Sequence, residues 1–429
     1  MPAAAPSAPA KPAASQARPR RRRSLAQANL ETRQEGPQGA LLERALRVPA
    51  QSPYVLTHAF HPYPGRFHPQ LARTLLVGVA ASEGHASVPG LTRPGQSVLD
   101  PFMGGGTTLV EGLLAGLDVV GSDLNPIAVL VARERTRLRS PAQALRVLGE
   151  ARRIAGQVEA LRRERKPPRL QLAELHRITP HYAPHLLAEL MQWLRLVNGL
   201  DPSDTRETLR AVFSSAVVKF SNQASDSSSE LRPSPSVAKG AVTRFLVAKC
   251  EQLVQAQVDL ARRVPRRGQV RLLQEDARLL PTLGWGEVDW ILTSPPYPGV
   301  YDYHQHHRLR MDWLELDDQP LLQGELAPRR AQGALAEEPG RSLSSEFRDV
   351  LGTLARVLKP GGGLLLVVGD WLDRGHAVNG AAVLRRAAQD KGWRVESWAA
   401  MRRETRSRPE RRAYARLGKW EHLLYLVRL

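Results

Sequence analysis

The stretch SVLDPFMGGGTTLVEGLLAGLDVVGSDLNP, residues 97–126, combines a glycine-rich turn with two carboxylates. A short strand is predicted to end at Asp100. The glycines at 104–106 would then let the backbone pass close to a ligand before a helix opens at Thr107. Asp123 follows the next predicted strand, where a carboxylate grips ribose hydroxyls in nucleotide-binding βαβ units. The spacing therefore predicts a site for a nucleotide-like cofactor.

The glycine spacing argues against a dinucleotide such as NAD. The turn does not follow the G-x-G-x-x-G pattern, and Asp100-Pro101-Phe102 precedes it. A carboxylate at the strand end would repel a diphosphate but could hold an ammonium group. S-adenosylmethionine has an α-amino group and no phosphate, so an acidic floor suits it. A tight turn in an inactive α/β domain is the structural alternative.

A second motif, DWILTSPPYPGVYDY, occupies residues 289–303, where a predicted strand leads into Ser294, Pro295, Pro296 and Tyr297. The prolines stiffen the turn and remove N–H groups, which leaves carbonyl acceptors for a base amino group. The serine hydroxyl adds an acceptor, and the tyrosine ring offers a face for an extruded base. Acceptors on both amine protons would draw the delocalised nitrogen toward a pyramidal, nucleophilic form. This favours methyl transfer to a base amine, although a surface proline-rich turn is the commoner context for such residues.

The two motifs resemble those of the bacterial amino-group DNA methyltransferases, many of which belong to restriction–modification systems. DPFMGGGTT is similar to their cofactor motif, usually DPFxGSGTT, with Gly105 where serine is usual. TSPPY is similar to their catalytic motif, whose serine form is typical of cytosine-N4 enzymes, whereas aspartate is commoner in adenine-N6 enzymes. HPYPGRFHP resembles the segment that helps hold the methionine end of the cofactor. The resemblance covers about residues 55–137 and 268–429.

The resemblance implies a doubly wound, Rossmann-like α/β methyltransferase domain that binds S-adenosylmethionine. The implied cofactor-binding residues are Tyr63, Asp100, Phe102, Gly104, Gly106, Thr107, Asp123, Asn125 and Asp276. The implied catalytic residues are Ser294, Pro295, Pro296 and Tyr297.

The expected reaction is site-specific methylation of DNA, with cytosine N4 as the first choice of target. Adenine-N6 methylation of DNA is the nearest alternative. Methylation of RNA at guanosine N2 or adenosine N6 is another, and a catalytically inactive nucleic-acid-binding protein is a third. A cognate restriction endonuclease is a candidate partner, because many members of the family have one.

The elements that must position these motifs fall into three predicted regions. Residues 1–45 are rich in Ala, Pro, Ser and Arg and are expected to form a disordered basic tail. Residues 46–137 and 268–429 alternate strand and helix signals, as expected for the methyltransferase domain. Residues 138–267 show helical spacing and are expected to form a helical insert. A target-recognition role and a plain structural role both remain open for this insert.

The net charge of +19 predicts a polyanionic partner, and DNA is the one expected here. The segment RRETRSRPERRAYAR, residues 402–416, concentrates arginine between two predicted strands. It could contact phosphates, although a solvated hairpin tip is an equal alternative. The candidate nucleic-acid-binding residues are Arg402, Arg403, Arg406, Arg408, Arg411 and Arg412.

Several classes of site and location are disfavoured by the residues present. Cys250 is the only cysteine, which excludes an intramolecular disulfide and fits a reducing cytoplasm. It lies in a helical apolar pattern, so a core thiol is favoured over the nucleophile that cytosine-C5 methylation needs. His304, His306 and His307 lack ligand-spaced partners, so no metal is expected. No apolar run is long enough to span a membrane, and a cytoplasmic location is expected.

Overall fold

The computed structural model describes residues 31–48, 54–65, 68–79, 87–167, 170–225, 228–233, 236–297, 302–326, 341–405 and 407–429. The strands are β1 (Thr32–Glu35), β2 (Gly78–Val79), β3 (Val88–Pro89), β4 (Ser97–Asp100), β5 (Asp118–Ser122), β6 (Gln223–Ser225), β7 (Ser228–Leu231), β8 (Val270–Leu273), β9 (Val288–Thr293), β10 (Leu358–Gly369), β11 (Trp371–Asp373), β12 (His376–Val378), β13 (Trp393–Arg403) and β14 (Lys419–Arg428).

The helices cover both faces of the sheet and form a separate block. They are α1 (Gly39–Leu46), α2 (Pro69–Val77), α3 (Thr107–Leu114), α4 (Pro126–Thr136), α5 (Pro141–Arg163), α6 (Leu175–Ile178), α7 (Pro184–Asn198), α8 (Asp204–Val217), α9 (Ala241–Arg263), α10 (Tyr303–Leu314), α11 (Gln319–Gly324), α12 (Arg341–Val357), α13 (Gly380–Gln389) and α14 (Arg408–Ala413).

Eight strands form the central sheet in the order β1-β13-β14-β10-β9-β4-β5-β8. The neighbours from β10 through β9, β4 and β5 to β8 pair in parallel, whereas β14 runs antiparallel to both β10 and β13. Adjacent residues of a strand point to opposite faces. Val98 accordingly packs with the side of α1, α2 and α3, while Leu99 packs with α12 and α13. The predicted doubly wound, Rossmann-like α/β fold is confirmed.

The chain reverses its direction of travel across the sheet between β4 and β9. From β4 it moves outward to β5 and β8, and it then returns to add β9 on the other side of β4. In open α/β sheets, ligands bind beyond the carboxyl ends of the strands at such a switch point. The motif around Asp100 follows β4 and the one beginning at Ser294 follows β9, so both lie at this point.

The prediction of disorder is wrong for residues 32–45, which form β1, α1 and the turn between them. Residues 32–35 form β1 and pair antiparallel with β13 at the sheet edge. Leu41 and Leu42 of α1 are fully buried against the same strands. Three leucines and an alanine at helical spacing provide this apolar face, although a Pro- and Arg-rich stretch precedes them. Residues 1–30 lie outside the described residues.

Residues 138–267, here called the helical block, contain α5 to α9 and the two-stranded hairpin β6–β7. Ser140 and Gln143 form a capping box at the start of α5. The polar, serine-rich segment 221–236 contains this hairpin. The block buries an apolar core that it shares with α4 and α10, and in which Trp193, Phe213 and Cys250 are fully buried.

A buried carboxylate on α4 attaches the helical block to the sheet domain. Glu134 accepts hydrogen bonds from the Thr208 hydroxyl and the Gln257 amide, both at 2.9 Å. The Arg137 guanidinium donates to the other carboxylate oxygen at 3.0 Å. Thr208 lies on α8 and Gln257 on α9, so Glu134 joins α4 to both helices. In the part of the chain that the structure describes, no helix is long and apolar enough to cross a membrane.

Candidate active site

A cleft opens at the switch point, over the carboxyl ends of the parallel strands. The space within it, counted together with the part that is open to solvent, is about 800 Å³. Most of the sequence-predicted cofactor residues line it: Tyr63, Asp100, Phe102, Gly104, Thr107, Asp123, Asn125 and Asp276. Ser294 and Pro296 line it as well, so both motifs contribute to one cleft. Gly106 does not line the cleft, and its backbone forms the N-terminal cap position of α3.

The glycine turn takes a shape that residues with side chains rarely adopt. Gly104 and Gly106 have φ values of 46° and 77°. A side chain at position 104 would meet the Tyr63 ring, and Gly106 precedes the first turn of α3. The backbone N–H of Gly104 donates to Asp123 Oδ2 at 2.9 Å, and the backbone N–H of Asn125 donates to Asp123 Oδ1 at 2.9 Å. Asp123 therefore holds the turn as well as facing the cleft.

Arg135 explains why this chain has glycine at position 105. Its fully buried guanidinium donates to the Gly105 carbonyl and to the His61 carbonyl, each at 2.7 Å. A Cβ at position 105 would overlap Arg135 Nη1 and lie 3.3 Å from Tyr63 Cβ. The serine that is usual in the similar motif cannot fit while Arg135 occupies this space. Nothing in the local sequence around Arg135 distinguishes it from a surface arginine, so sequence reasoning does not find it.

Asp100 ties the two motifs together rather than standing free in the cleft. Its Oδ1 accepts from the Thr293 hydroxyl at 2.6 Å and from the Phe102 amide at 3.1 Å. Its Oδ2 accepts from the Thr108 hydroxyl at 2.7 Å. Burial raises the pKa of Asp100 to about 6, although these hydrogen bonds oppose the rise. The predicted contact with an ammonium group would thus be added to three contacts within the protein.

Two other carboxylates shape the charge of the cleft. Burial also raises the pKa of Asp123 to about 7, against the lowering effect of the amides of Asn125 and Gly104. Glu275 lines the cleft, and its buried Oε2 has no hydrogen-bond partner among the described residues. A buried acceptor without a donor is costly, so the cleft is suited to a ligand that brings N–H or O–H groups. S-adenosylmethionine offers such groups on its ammonium, ribose and adenine.

Asp276 is less free than the resemblance implies. Arg278 Nε lies 3.0 Å from Asp276 Oδ1 and 2.9 Å from Oδ2, and the same guanidinium donates to the Gly324 carbonyl at 3.2 Å. This arrangement draws the end of α11 over the cleft, where Glu325 becomes a lining residue. The sequence predicts a site role for neither Arg278 nor Glu325, because no motif marks either position.

Tyr63 forms one wall of the cleft. Its hydroxyl accepts from the Asn125 side-chain amide at 3.1 Å, and its ring stacks on His307 with the centroids 4.9 Å apart. Burial raises the pKa of the Tyr63 phenol well above its usual value. Tyr303 lines the cleft beside it.

The Ser-Pro-Pro-Tyr corner leaves β9 at the edge of the cleft. The Ser294 hydroxyl lies 3.4 Å from the Tyr297 hydroxyl, which donates to Glu421 Oε1 at 3.4 Å. The Tyr297 ring lies against Gly369 at the end of β10, where a Cβ would come within 3.2 Å of it. Pro295 and Tyr297 are not among the residues that line the cofactor cleft, so the corner faces it through Ser294 and Pro296.

The arginine-rich segment, residues 402–416, lies at the end of the sheet that carries the Ser-Pro-Pro-Tyr corner, because β13 ends and β14 begins there. It is not wholly a loop, since Arg408, Arg411 and Arg412 lie exposed on α14. Arg402 pairs with Glu31 at 3.2 Å but keeps about half of its side-chain surface exposed. Arg403 is instead sheltered in an ion pair with Glu421, and is poorly placed for phosphate. Arg406 lies outside the described residues.

The described residues contain no group of three or more His, Cys, Asp or Glu side chains that could hold a metal ion. His304 pairs with Asp318 at 2.8 Å, and His307 is buried against Tyr63. Cys250 is buried, and burial raises the pKa of its thiol to about 12. His304, His307 and Cys250 therefore each pair or pack within the protein.

Comparison with known proteins adds a sequence relationship to this geometry. The chain is 26% identical over 272 residues to the Type II methyltransferase M.MvaI of Kocuria varians, covering 61% of this chain and 58% of that protein. It is 39% identical over 75 residues to the Type II methyltransferase M.MjaII of Methanocaldococcus jannaschii, covering 18% of this chain and 12% of that protein. The predicted resemblance to the bacterial DNA methyltransferases is confirmed. The chain spans less than two thirds of the length of either relative.

Other comparisons are more distant. No protein-family model matches the chain. Among solved structures, it is similar to an arsenic(III) S-adenosylmethionine methyltransferase of Chlamydomonas reinhardtii, with a TM-score of 0.32, 11% identity and coverage of 78% of this chain and 64% of that one. A geranyl diphosphate methyltransferase has a TM-score of 0.30 and 9% identity, with coverage of 79% and 75%.

Proposed function

We propose that this chain transfers a methyl group from S-adenosylmethionine to an exocyclic amine of a DNA base, with cytosine N4 as the preferred target. The observation that carries the proposal is the hydrogen bond of 2.6 Å between Thr293 and Asp100. It joins the end of the strand before the Ser-Pro-Pro-Tyr corner to the strand end of the cofactor cleft. Methyl donor and base amine would therefore meet at one sheet edge.

The cleft supports S-adenosylmethionine as the cofactor. Asp123 would accept hydrogen bonds from the ribose hydroxyls, and Asp276 and Glu275 would lie near the adenine. Asp100 would provide negative charge near the ammonium group, and Tyr63 and Asn125 would close the methionine end. The turn that begins at position 104 lets the backbone approach the ligand closely. When bound, the cofactor supplies a methyl group on a positively charged sulfur.

The corner supports the choice of an amine as the acceptor. Ser294 Oγ and the Pro295 carbonyl would accept the two protons of an exocyclic amine, and Pro296 stiffens their arrangement. Tyr297 would stack on the base once it has left the duplex, a step that costs a few kcal/mol. The proton is released to solvent after transfer. No side chain has to form a covalent bond to the base, which agrees with a buried and unreactive Cys250.

Exposed arginines at the same edge support DNA as the substrate. Arg408, Arg411 and Arg412 on α14, with Arg402 beside them, would contact backbone phosphates near the extruded base. Membership of a restriction–modification system is part of the proposal, and a cognate endonuclease would then recognise the same sequence.

Transfer of tritiated methyl groups to duplex DNA, followed by nucleoside analysis, tests the proposal. The wild type is expected to give N4-methylcytosine, and Ser294→Ala with Pro295→Ala is expected to abolish transfer while cofactor binding persists. A matched control changes Ser140 and Pro141 to alanine, since this Ser-Pro pair starts α5 away from the cleft. N6-methyladenine would change the target base, and label in RNA alone would change the substrate. Cofactor binding without transfer would indicate an inactive nucleic-acid-binding protein.

A further inference from the structure

Tyr297 is held by residues outside its own motif. Its hydroxyl donates to Glu421 Oε1 at 3.4 Å, and its ring rests on the backbone of Gly369. Gly369 and Glu421 are register partners on β10 and β14. The sheet therefore presents a flat support for the ring and a carboxylate for the hydroxyl at one place.

Glu421 is itself held by an ion pair. Arg403, the last residue of β13, pairs with the Glu421 carboxylate, and their side chains are 14% and 17% exposed. A carboxylate that is this buried needs a counter-ion, and the Arg403 guanidinium supplies it. The ion pair also restricts rotation of the Glu421 carboxylate. The charge of Glu421 also raises the pKa of Tyr297, in addition to the larger effect of burial, so the phenol stays protonated and remains a donor.

Arg403 also belongs to the arginine-rich segment that ends at Arg416. A short connection separates it from α14, whose exposed arginines are the proposed phosphate contacts. A chain of contacts thus runs from this segment through Arg403 and Glu421 to Tyr297. The sequence pattern of the Ser-Pro-Pro-Tyr motif contains neither of the two intermediate residues.

We infer that Glu421 and Arg403 are positioning residues that fix the ring of Tyr297 in the orientation on which the target base stacks. The inference rests on the proposed function, because it concerns the same base site. It assigns to the β13–β14 hairpin a role in methyl transfer that is separate from phosphate binding. It also explains why an arginine in a basic segment is turned inward at the sheet edge.

A double-mutant cycle tests this inference through the rate of methyl transfer. Glu421→Ala is expected to lower kcat about tenfold, as for loss of a hydrogen bond to a charged group. In a Tyr297→Phe background, which retains the ring but lacks the hydroxyl, Glu421→Ala is expected to have no further effect. Arg403→Lys should restore most of the activity that Arg403→Ala loses. Effects of Tyr297→Phe and Glu421→Ala that multiply would overturn the inference.

A second measurement does not depend on methyl transfer, so it separates failure of this inference from failure of the proposed function. The protein is labelled with 3-fluorotyrosine, and the fluorine resonance of Tyr297 is identified by its loss in Tyr297→Phe. Glu421→Ala is expected to shift or broaden this resonance. Glu396→Ala is the matched control, because Glu396 pairs with Arg394 at 2.9 Å on the same hairpin but is more exposed. A Tyr297 resonance unchanged by Glu421→Ala would contradict the inference.

Discussion

The cofactor cleft and the helical block are built on different principles. The cleft is formed by short turns after β4, β5, β8 and β9, and hydrogen bonds between carboxylates and backbone amides two residues along the chain shape these turns. Long-range hydrogen bonds, such as the one from Thr293 to Asp100, bring the turns together. The helical block is formed by helices of up to 23 residues that bury an apolar core shared with α4 and α10, and it also joins the sheet domain through the side chains around Glu134. Residues close together in the chain therefore shape the turns of the cleft, whereas packing between helices shapes the block.

The largest effect is expected at the junction of these two regions. Glu134→Ala removes a fully buried carboxylate to which Arg137, Thr208 and Gln257 donate hydrogen bonds. We expect a loss of about 3–5 kcal/mol in the free energy of unfolding, measured by urea denaturation. Glu150→Ala, which removes an exposed ion pair with Arg153 on α5, should cost less than about 1 kcal/mol. Equal losses in the two variants would show that the junction does not hold the block in place.

The next effect concerns the glycine turn of the cleft and the arginine that packs on it. Gly105→Ser introduces a Cβ that overlaps Arg135 Nη1, so the guanidinium must leave at least one of its two carbonyl partners. We expect a loss of about 1–3 kcal/mol in the free energy of unfolding and weaker cofactor binding, measured by denaturation and calorimetry. Gly149→Ser is the control, because nothing lies within 4 Å of that Cβ position on α5. Full cofactor affinity in Gly105→Ser would contradict this account of the turn.

Cofactor binding in the cleft should also depend on pH. Because the pKa values of Asp100 and Asp123 are raised to about 6 and 7, both carboxyls gain protons as the pH falls from about 8 to about 5. Cofactor affinity is expected to fall by about tenfold per pH unit once Asp123 is protonated, measured by calorimetry. Asp123→Asn should bind weakly and lose most of this dependence. Affinity that stays constant over this pH range would exclude both carboxylates from cofactor binding.

The same two groups give the opposite trend for the unliganded protein. Their folded-state pKa values exceed the ordinary value of 3.8, so the folded protein binds more protons than the unfolded chain between about pH 4 and 7. Their contribution to stability is therefore fully present below about pH 4 and is lost as the pH rises through about 6 and 7. Denaturation with and without cofactor at several pH values separates the two trends.

The smallest expected effect is on DNA affinity, and it tests whether α14 or the helical block contacts DNA. Changing Arg408, Arg411 and Arg412 to Gln should weaken DNA binding several-fold and reduce the log–log slope of its salt dependence by about 0.9 for each phosphate that is no longer neutralised. The matched control changes Arg146, Arg152 and Arg163 on α5, which removes the same charge from the helical block. Filter binding at several salt concentrations measures both. If the α5 variant alone bound DNA more weakly, the basic surface of the block would be the region that contacts DNA.

The comparison also explains what can be predicted from the sequence. The strand–turn–helix order around Asp100 and the strand before Ser294 depend on neighbouring residues, and the structure brings both motifs to one cleft. Arg135 and Glu421 escape prediction because their roles depend on residues far away in the chain. Charge alone assigns Arg403 to phosphate, yet its partner is 18 residues away across a hairpin.

The tail boundary illustrates the same limit. Composition predicts disorder through residue 45, because the stretch is rich in proline and arginine. The four-residue strand β1 needs the edge of a sheet that is completed only by β13, near the other end of the chain. No local pattern can reveal a partner at that distance. The sequence pattern therefore misses β1 because this strand depends on long-range pairing, and not because its residues have a weak strand propensity.

Helix α4 connects the helical block to the glycine turn of the cleft. Glu134 and Arg135 are consecutive residues, so their side chains point about 100° apart around the helix axis. Glu134 accepts a hydrogen bond from α8 of the helical block, whereas Arg135 donates one to the Gly105 carbonyl in the glycine turn. A displacement of the block that carries α4 with it must also displace the floor of the cofactor site. A displacement of the helical block would thus be transmitted to the glycine turn through two adjacent residues of α4.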